Sequence, residues 1–523
     1  MASATCRRDH RDRGDRRIVE SPERPVPLAV ATARGAGWIV GWRFATRLLG
    51  FANMLVLARL LVPGDFGLVA IATSFSQAVD ALGEIGVSAA LIREAVLDKA
   101  MYDTGFTLNA LRGVLTALVL VLAAQPVAAF FGDPRLIYIM MALAAAMLLS
   151  SLENIGIVEF NRALAFDKEF VLFVVPRIAG IALGMIAAWS LRSYWALVVG
   201  ILTTKCLRAA LSYMMHPYRP SFSLLAWRRM LGFSTWAWVL ATTTLVRERI
   251  DAFVIGRQLG PAQFGIYSMG WEIGFAASVE LVMPLSRALF PSFSSLRNRA
   301  ENISDAYFRV ISAALLVSMP ASMGIALVAE PLVRIAFGVR WLPAVPVIQI
   351  FALVGILKVI ATISGTLLTV YGLQAIQWRI VSVSLIVRLV LMVALVTRFG
   401  LLGGALAAAT SSILDEIMYL FVTFRRFHVS ATTLLYSNWR CLFGVTIMTI
   451  TVLLTERWCR GADQLPVGST GMVLEAFVGV VSYATVVLVA WLAAGRPPGA
   501  EYYALGVLRA AGRSLLARWK IRL

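Results

Sequence analysis

The sequence predicts an all-α membrane protein of about fourteen transmembrane helices: two parallel six-helix bundles followed by two additional C-terminal helices. Three observations lead there. The 523-residue chain is 59% hydrophobic and only 15% charged, with a mean hydropathy of +0.79, whereas a soluble domain carries roughly 25% charge. Its apolar residues come in blocks of about 18 to 25, enough to cross a ~30 Å hydrocarbon slab at 1.5 Å per residue; a transmembrane barrel would show ~10-residue alternating segments instead. The third observation is a repeat. The phrase "RLLVPGDFG" at 59–67 recurs as "RQLGPAQFG" at 257–265, with five of nine positions identical.

Residues 1–34 are Arg-rich, contain proline and lack apolar periodicity, which predicts a disordered cytoplasmic tail. The first bundle occupies 35–215, with spans near 36–61, 65–90, 106–131, 136–160, 170–190 and 194–214. A cytoplasmic linker, 216–230, leads to a second bundle over 231–430, with spans near 231–256, 264–290, 306–329, 345–370, 379–398 and 401–423. Two further spans, near 440–456 and 471–494, lie within 431–494. The tail 495–523 sets Arg509, Arg513, Arg518, Lys520 and Arg522 among Leu, Val and Trp, the pattern of a basic amphipathic helix on anionic lipid, and equally that of a frayed solvated tail.

The formal charge of +19 is not a nucleic-acid footprint, because the positive residues gather in the tails and in alternate loops. With the amino terminus inside, roughly 28 Lys and Arg fall on the cytoplasmic side and roughly 8 outside, so both termini are placed in the cytoplasm. The four cysteines are scattered and the three histidines lie in cytoplasmic segments. Neither a disulfide framework nor a metal site is expected, and no cofactor beyond H⁺ or Na⁺ as a coupling ion.

Each copy of the phrase joins the first and second span of its half. Six helices separate the copies, an even number, so both face the same side and the repeat is parallel. A weaker echo, "SYWALVVG" at 193–200 and "LLGGALAA" at 401–408, opens the sixth span of each half. The phrase reads as a tight extracytoplasmic hairpin: Pro63 and Pro261 end one helix or begin the next, and Phe66 and Phe264 sit near the interface. Gly67 and Gly265 are expected to let the second helix of each hairpin pack closely against the first.

The block "LARLLVPGDFGLVAIATSFSQAVDALGEIGVSAALIRE" at 57–94 resembles the signature of the polysaccharide-transporter branch of the multidrug/oligosaccharidyl-lipid/polysaccharide exporter superfamily, which holds the Wzx-type flippases. The second copy, running into "VMPLSRALFPSFSSLRN" at 282–298, is similar to that family's second half. The resemblance covers roughly residues 35–430 and departs at the long Arg-rich N-terminal tail. It implies a V-shaped pair of bundles in the bacterial inner membrane, with the first two helices of each half lining a central cavity. It further implies a non-enzymatic flippase for undecaprenyl-diphosphate-linked oligosaccharide in lipopolysaccharide O-antigen, capsule or exopolysaccharide synthesis, working beside a polysaccharide polymerase and glycosyltransferases.

Charges inside the spans fit that expectation. An ionisable group at mid-bilayer costs about 2.5–3.5 kcal/mol on insertion scales, so it should face water or a partner. Arg43 and Arg47 fall on one helix face; Asp80 and Glu84 share a face of the second span; Arg247, Arg249 and Asp251 crowd the seventh, and Glu272 and Glu280 the eighth. Arg43, Arg47, Arg247 and Arg249 are the candidate diphosphate ligands, because a guanidinium binds phosphate oxygens bidentately and stays protonated. Asp80, Glu84, Asp251, Glu272 and Glu280 are read two ways, as H⁺ or Na⁺ coupling groups or as counter-ions of the arginines. The competing classes are an O-antigen ligase or polymerase, which would need a large outer loop where the longest here are about 15 residues, and a drug or peptidoglycan-precursor exporter of the same superfamily.

Overall fold

A computed structural model describes residues 45–83, 98–163, 165–230, 235–298, 303–427, 429–461 and 469–496, together with Val87, Leu91 and Glu501. The tail 1–34, Arg43, Glu84 and nearly all of the basic tail lie outside the described residues, as does the side chain of Glu280. Every regular element among those described is helical. The long helices are α1 (45–60), α2 (Pro63–Leu82), α3 (Lys99–Phe131), α4 (Arg135–Ser151), α5 (Phe166–Leu191), α6 (Trp195–Met215) and α7 (Thr235–Asn298). They continue as α8 (Ile303–Leu327), α9 (Val345–Val370), α10 (Gln374–Phe427), α11 (Ala431–Gly461) and α12 (Ser469–Ala493).

Two of these are pairs of helices in line. Gly260 (φ 83°) breaks α7 and Gly400 (φ 57°) breaks α10, a backbone sign that glycine alone adopts without strain. Counting the limbs separately, the described residues hold fourteen long helical segments at the predicted places. Among the described residues, eight helices are long and apolar enough to cross a membrane. The ends follow local chemistry: Pro63 opens α2 where its missing N–H costs nothing, Asp98 caps α3 by accepting from the Met101 N–H, and Gly132 closes α3 in the left-handed conformation.

The hydrophobic cores show how the halves meet. One core is shared: Leu68 and Ile71 of α2 and Ile139 of α4 join Ile255 and Tyr267 of α7 and Phe351 of α9. It lies toward the end that carries the turns at 61–62, 132–134, 192–194 and 260, the end predicted to be extracytoplasmic. At the other end the cores are separate. Met101, Tyr102, Phe106 and Ile155 pack within the first half, and Phe293, Tyr307, Ile311 and Ile363 within the second, joined there by Val445 of α11 and Tyr483 of α12. The bundles therefore touch at this end and part toward the other, giving the V.

The linker is held down rather than loose. Asp103 accepts from the Tyr218 hydroxyl (2.5 Å), the Ser221 hydroxyl (2.6 Å) and the Ser221 N–H (3.1 Å); Thr107 and Thr104 accept from the Ser223 and Ala226 amides. Asn154 donates to the Tyr218 carbonyl, and Glu159 meets Tyr102 and His216. Burial pushes the Glu159 carboxyl up, but the hydrogen bonds from Tyr102 and His216 outweigh it and leave it below the ordinary carboxylate value. That contact is therefore complete at neutral pH and is lost only as pH falls through the lowered value. The linker is part of the first half, so relative motion of the halves has to begin beyond it.

Candidate functional site: the boundary between the halves

The duplicated phrase meets itself. A β-carbon on Gly67 would lie 1.7 Å from the carbonyl oxygen of Pro261, and one on Gly265 would lie 2.1 Å from that of Pro63. The contact is reciprocal, each glycine fitting the proline carbonyl of the other copy. This corrects the expectation that the glycines serve packing inside each hairpin: they bring the second helix of one half against the second helix of the other. Both arginines of the phrase also cross over. Arg59 donates to the carbonyls of Ile335 and Ala336 in the second half, and Arg257 lies 5.4 Å from the Phe130 ring in the first. Trp341 donates its indole N–H to the Ala58 carbonyl (3.0 Å) and packs edge-on against Phe66. The outer end is thus closed by backbone-to-backbone contact with a polar clasp on either side.

Below this closure, Arg47 of α1 pairs across the boundary with Glu272 of α7 at 2.8 Å, each side chain 40% exposed. Among the described residues that the sequence singled out, Arg47 and Glu272 pair across the two halves. Asp80 instead faces Arg112 of α3 inside the first half (3.7 Å). Arg249 is half-buried on the first limb of α7.

Arg247, read as a candidate cavity ligand, faces into the second half, and Asp251, read as a coupling group or a counter-ion, sits as the counter-ion of Arg388. Arg247 pairs with Asp415 of α10 and is largely enclosed. Asp251 receives Arg388 of α10 through two hydrogen bonds (2.8 and 2.5 Å) and the Tyr267 hydroxyl (2.5 Å), and both ion-pair partners are under 10% exposed. Arg247, Arg388 and Asp415, with Glu248, Lys358 and Glu416, surround a small cavity inside the second half. The physical reason is helix geometry. Positions 247 and 251 are one turn apart and share the face of α7 turned to α10, not the face turned to the first half. The partners on α10 sit more than 130 residues away, so helical spacing within α7 could not reveal them.

The first half holds its own charged set: Arg208 pairs with Glu153 (3.0 Å), and Lys205 donates to the Ser150 hydroxyl (3.1 Å). Arg177 of α5 and Lys205 line a cleft between α1–α2 and α5–α6. Sequence reasoning had left both without a role. The available signal was that each sits mid-span, with no carboxylate one turn away on its own helix.

Two six-helix halves that meet at one end and part at the other form a fold shared with solved transporters. The Lipid II flippase MurJ in its inward closed conformation matches with a TM-score of 0.71, over 87% of this chain and 99% of that one at 13% identity. An inward-facing multidrug resistance MATE family transporter matches at 0.60, over 73% and 94%, also at 13% identity. Within that fold, residues 56–346, more than half of the chain, match the model of the family described as Polysaccharide biosynthesis protein, and the chain belongs to that family. Relatives include the lipopolysaccharide biosynthesis protein WzxC of Escherichia coli (strain K12), 23% identical over 66% of this chain and 70% of that protein. The succinoglycan biosynthesis transport protein ExoT of Rhizobium meliloti (strain 1021) is 24% identical over 63% and 67%, and the probable low-salt glycan biosynthesis flippase Agl15 of Haloferax volcanii 24% over 75% and 81%.

Proposed function

We propose that the protein is a flippase, not an enzyme: it carries polyprenyl-diphosphate-linked oligosaccharide repeat units across the bacterial inner membrane for surface polysaccharide synthesis, by alternating access. The observation that carries this reading is the pair of halves itself, closed at one end by the reciprocal glycine contact and carrying the partly exposed Arg47–Glu272 pair between them. The names of the relatives support the substrate class. Glycosyltransferases that build the repeat unit and a polymerase that consumes it are the partners this chemistry requires. Because Asp80, Asp251 and Glu272 each face an arginine, the geometry supports counter-ion roles for them over ion coupling.

In this reading the anionic head group competes with Glu272 for Arg47, loosening an ion pair between the halves. Arg47→Glu sets two carboxylates against each other and repels the diphosphate. It is expected to cut flipping at least tenfold, with lipid-linked repeat units accumulating on the cytoplasmic leaflet. The double variant Arg47→Glu/Glu272→Arg restores both the pair and the cation, and should recover most of the activity. A lost ligase or polymerase would strand the intermediate on the outer leaflet instead, so its sidedness separates the two classes. Unchanged flipping in Arg47→Glu at normal protein level would remove Arg47 from the site.

Cytoplasmic termini are tested by reporter fusions. Those after Lys168, Arg299 and Arg426 are expected to report the cytoplasm, and those after Asp133 and Gln464 the opposite side. The same side for Arg299 and Gln464 would contradict the proposed orientation, since an odd number of crossings separates them.

A further inference from the structure

In the first half, three described cations within the spans have a carboxylate partner: Arg47 has Glu272, Arg112 has Asp80, Arg208 has Glu153. Among the described residues Arg177 and Lys205 have no carboxylate within 4 Å; Glu272 acts on Arg177 and Glu153 on Lys205 only from farther away, and Lys205 donates to the Ser150 hydroxyl. Arg177 lies eleven residues into α5 and Lys205 ten residues before the end of α6, so both sit roughly 15 Å from the inner ends of their helices. They line the same cleft. Asn53 of α1 also lines it, with its amide oxygen buried and without a hydrogen-bond partner.

The rest of the cleft is apolar or small: Leu57, Ile181, Leu197 and Ile201, with a glycine wall where α5 and α6 approach closely. A β-carbon on Gly180 would meet the Thr204 hydroxyl at 2.0 Å. Two cations sharing one cleft at this depth, neither in contact with a carboxylate, favour an anion that joins them. A soluble anion would have to leave water to do so, whereas a lipid-borne one arrives with an apolar chain that the remaining wall accommodates. A glycan fits poorly, because the wall offers few hydrogen-bonding groups for its hydroxyls. Resting on the flippase reading, we infer that this cleft binds the junction of diphosphate and first isoprene units of the lipid carrier, with Arg177 and Lys205 on the phosphates. The glycan is then left in the space between the halves. Recognition falls on the part common to every repeat unit, and the sugar is read elsewhere or not at all.

The test uses the full-length protein in zwitterionic nanodiscs and measures binding of radiolabelled farnesyl diphosphate by equilibrium dialysis. Farnesol and inorganic diphosphate, each lacking one half of the junction, should bind at least tenfold more weakly. Arg177→Gln and Lys205→Gln should each weaken farnesyl diphosphate binding about tenfold or more, while Arg177→Lys, which keeps the charge and reports on folding, should stay within about threefold. Equal binding of inorganic diphosphate would overturn the lipid junction. Displacement by phosphatidylglycerol at equal concentration would overturn selectivity for the carrier. Normal binding in both Gln variants of a chain that still flips its substrate would overturn the cleft and leave the flippase reading standing. The expected binding pattern in a chain that flips nothing in proteoliposomes would do the reverse.

Discussion

Gly67→Leu is expected to abolish surface polysaccharide export while the protein remains in the membrane. Any β-carbon at this position collides with the Pro261 backbone carbonyl, and a carbonyl in the first turn of a helix cannot yield as a flexible side chain can. The outer closure then cannot form, although each half keeps its own inner core. Gly265→Leu should behave in the same way because the contact is reciprocal, and export should fall to the level of an empty vector in both. Gly471→Ala, where nothing lies within 4 Å of the added carbon, is the matching control and should be silent. Export measured by cell-surface labelling, beside protein level in the membrane fraction, decides the matter; normal export in both leucine variants would mean that the contact is not used.

The second large effect concerns stability. Asp251→Ala leaves the Arg388 guanidinium buried with its carboxylate gone and the Tyr267 hydroxyl without its acceptor. Removing one partner of a buried pair costs about 3–5 kcal/mol, a large share of a typical stability of about 5–15 kcal/mol. The membrane level should drop several-fold. Replacing both partners, as Asp251→Leu/Arg388→Met, removes the stranded charge and should restore much of the level. If Asp251→Ala accumulated normally yet failed to export, the pair would belong to the transport cycle and not to the frame of the second half.

Much of this architecture was legible in the sequence. The fourteen segments follow from block length and hydropathy, and the two-half arrangement follows from one repeated phrase. What the phrase does was not legible. Pro63 and Pro261 announce turns, but nothing along the chain says that Gly67 will face Gly265, because that contact spans about 198 residues and depends on how the halves dock. The charges divided along the same line. Arg47 and Glu272 were both singled out, and they meet across the boundary. Arg247 and Asp251 were singled out for the same reason, intramembrane charge, yet their partners Asp415 and Arg388 come from α10 and enclose them. An intramembrane charge marks a polar contact; whether the contact faces a cavity or a neighbouring helix is decided by tertiary packing. Arg177 and Lys205 show the converse, since only the fold reveals that they share a cleft.

In the proposed transport cycle the two copies of the phrase close the outer end and must part for the substrate to leave. A β-carbon on Gly64 would lie 4.0 Å from that of Ala262, within the span a disulfide bridges. With Cys6, Cys206, Cys441 and Cys459 replaced by serine, Gly64→Cys/Ala262→Cys should lose both reactive thiols on mild oxidation. Flipping in proteoliposomes should then stop and return on reduction, with each single-cysteine variant unaffected. Thiols that stay reactive under oxidation, or a fully formed disulfide that leaves flipping at the reduced rate, would contradict it.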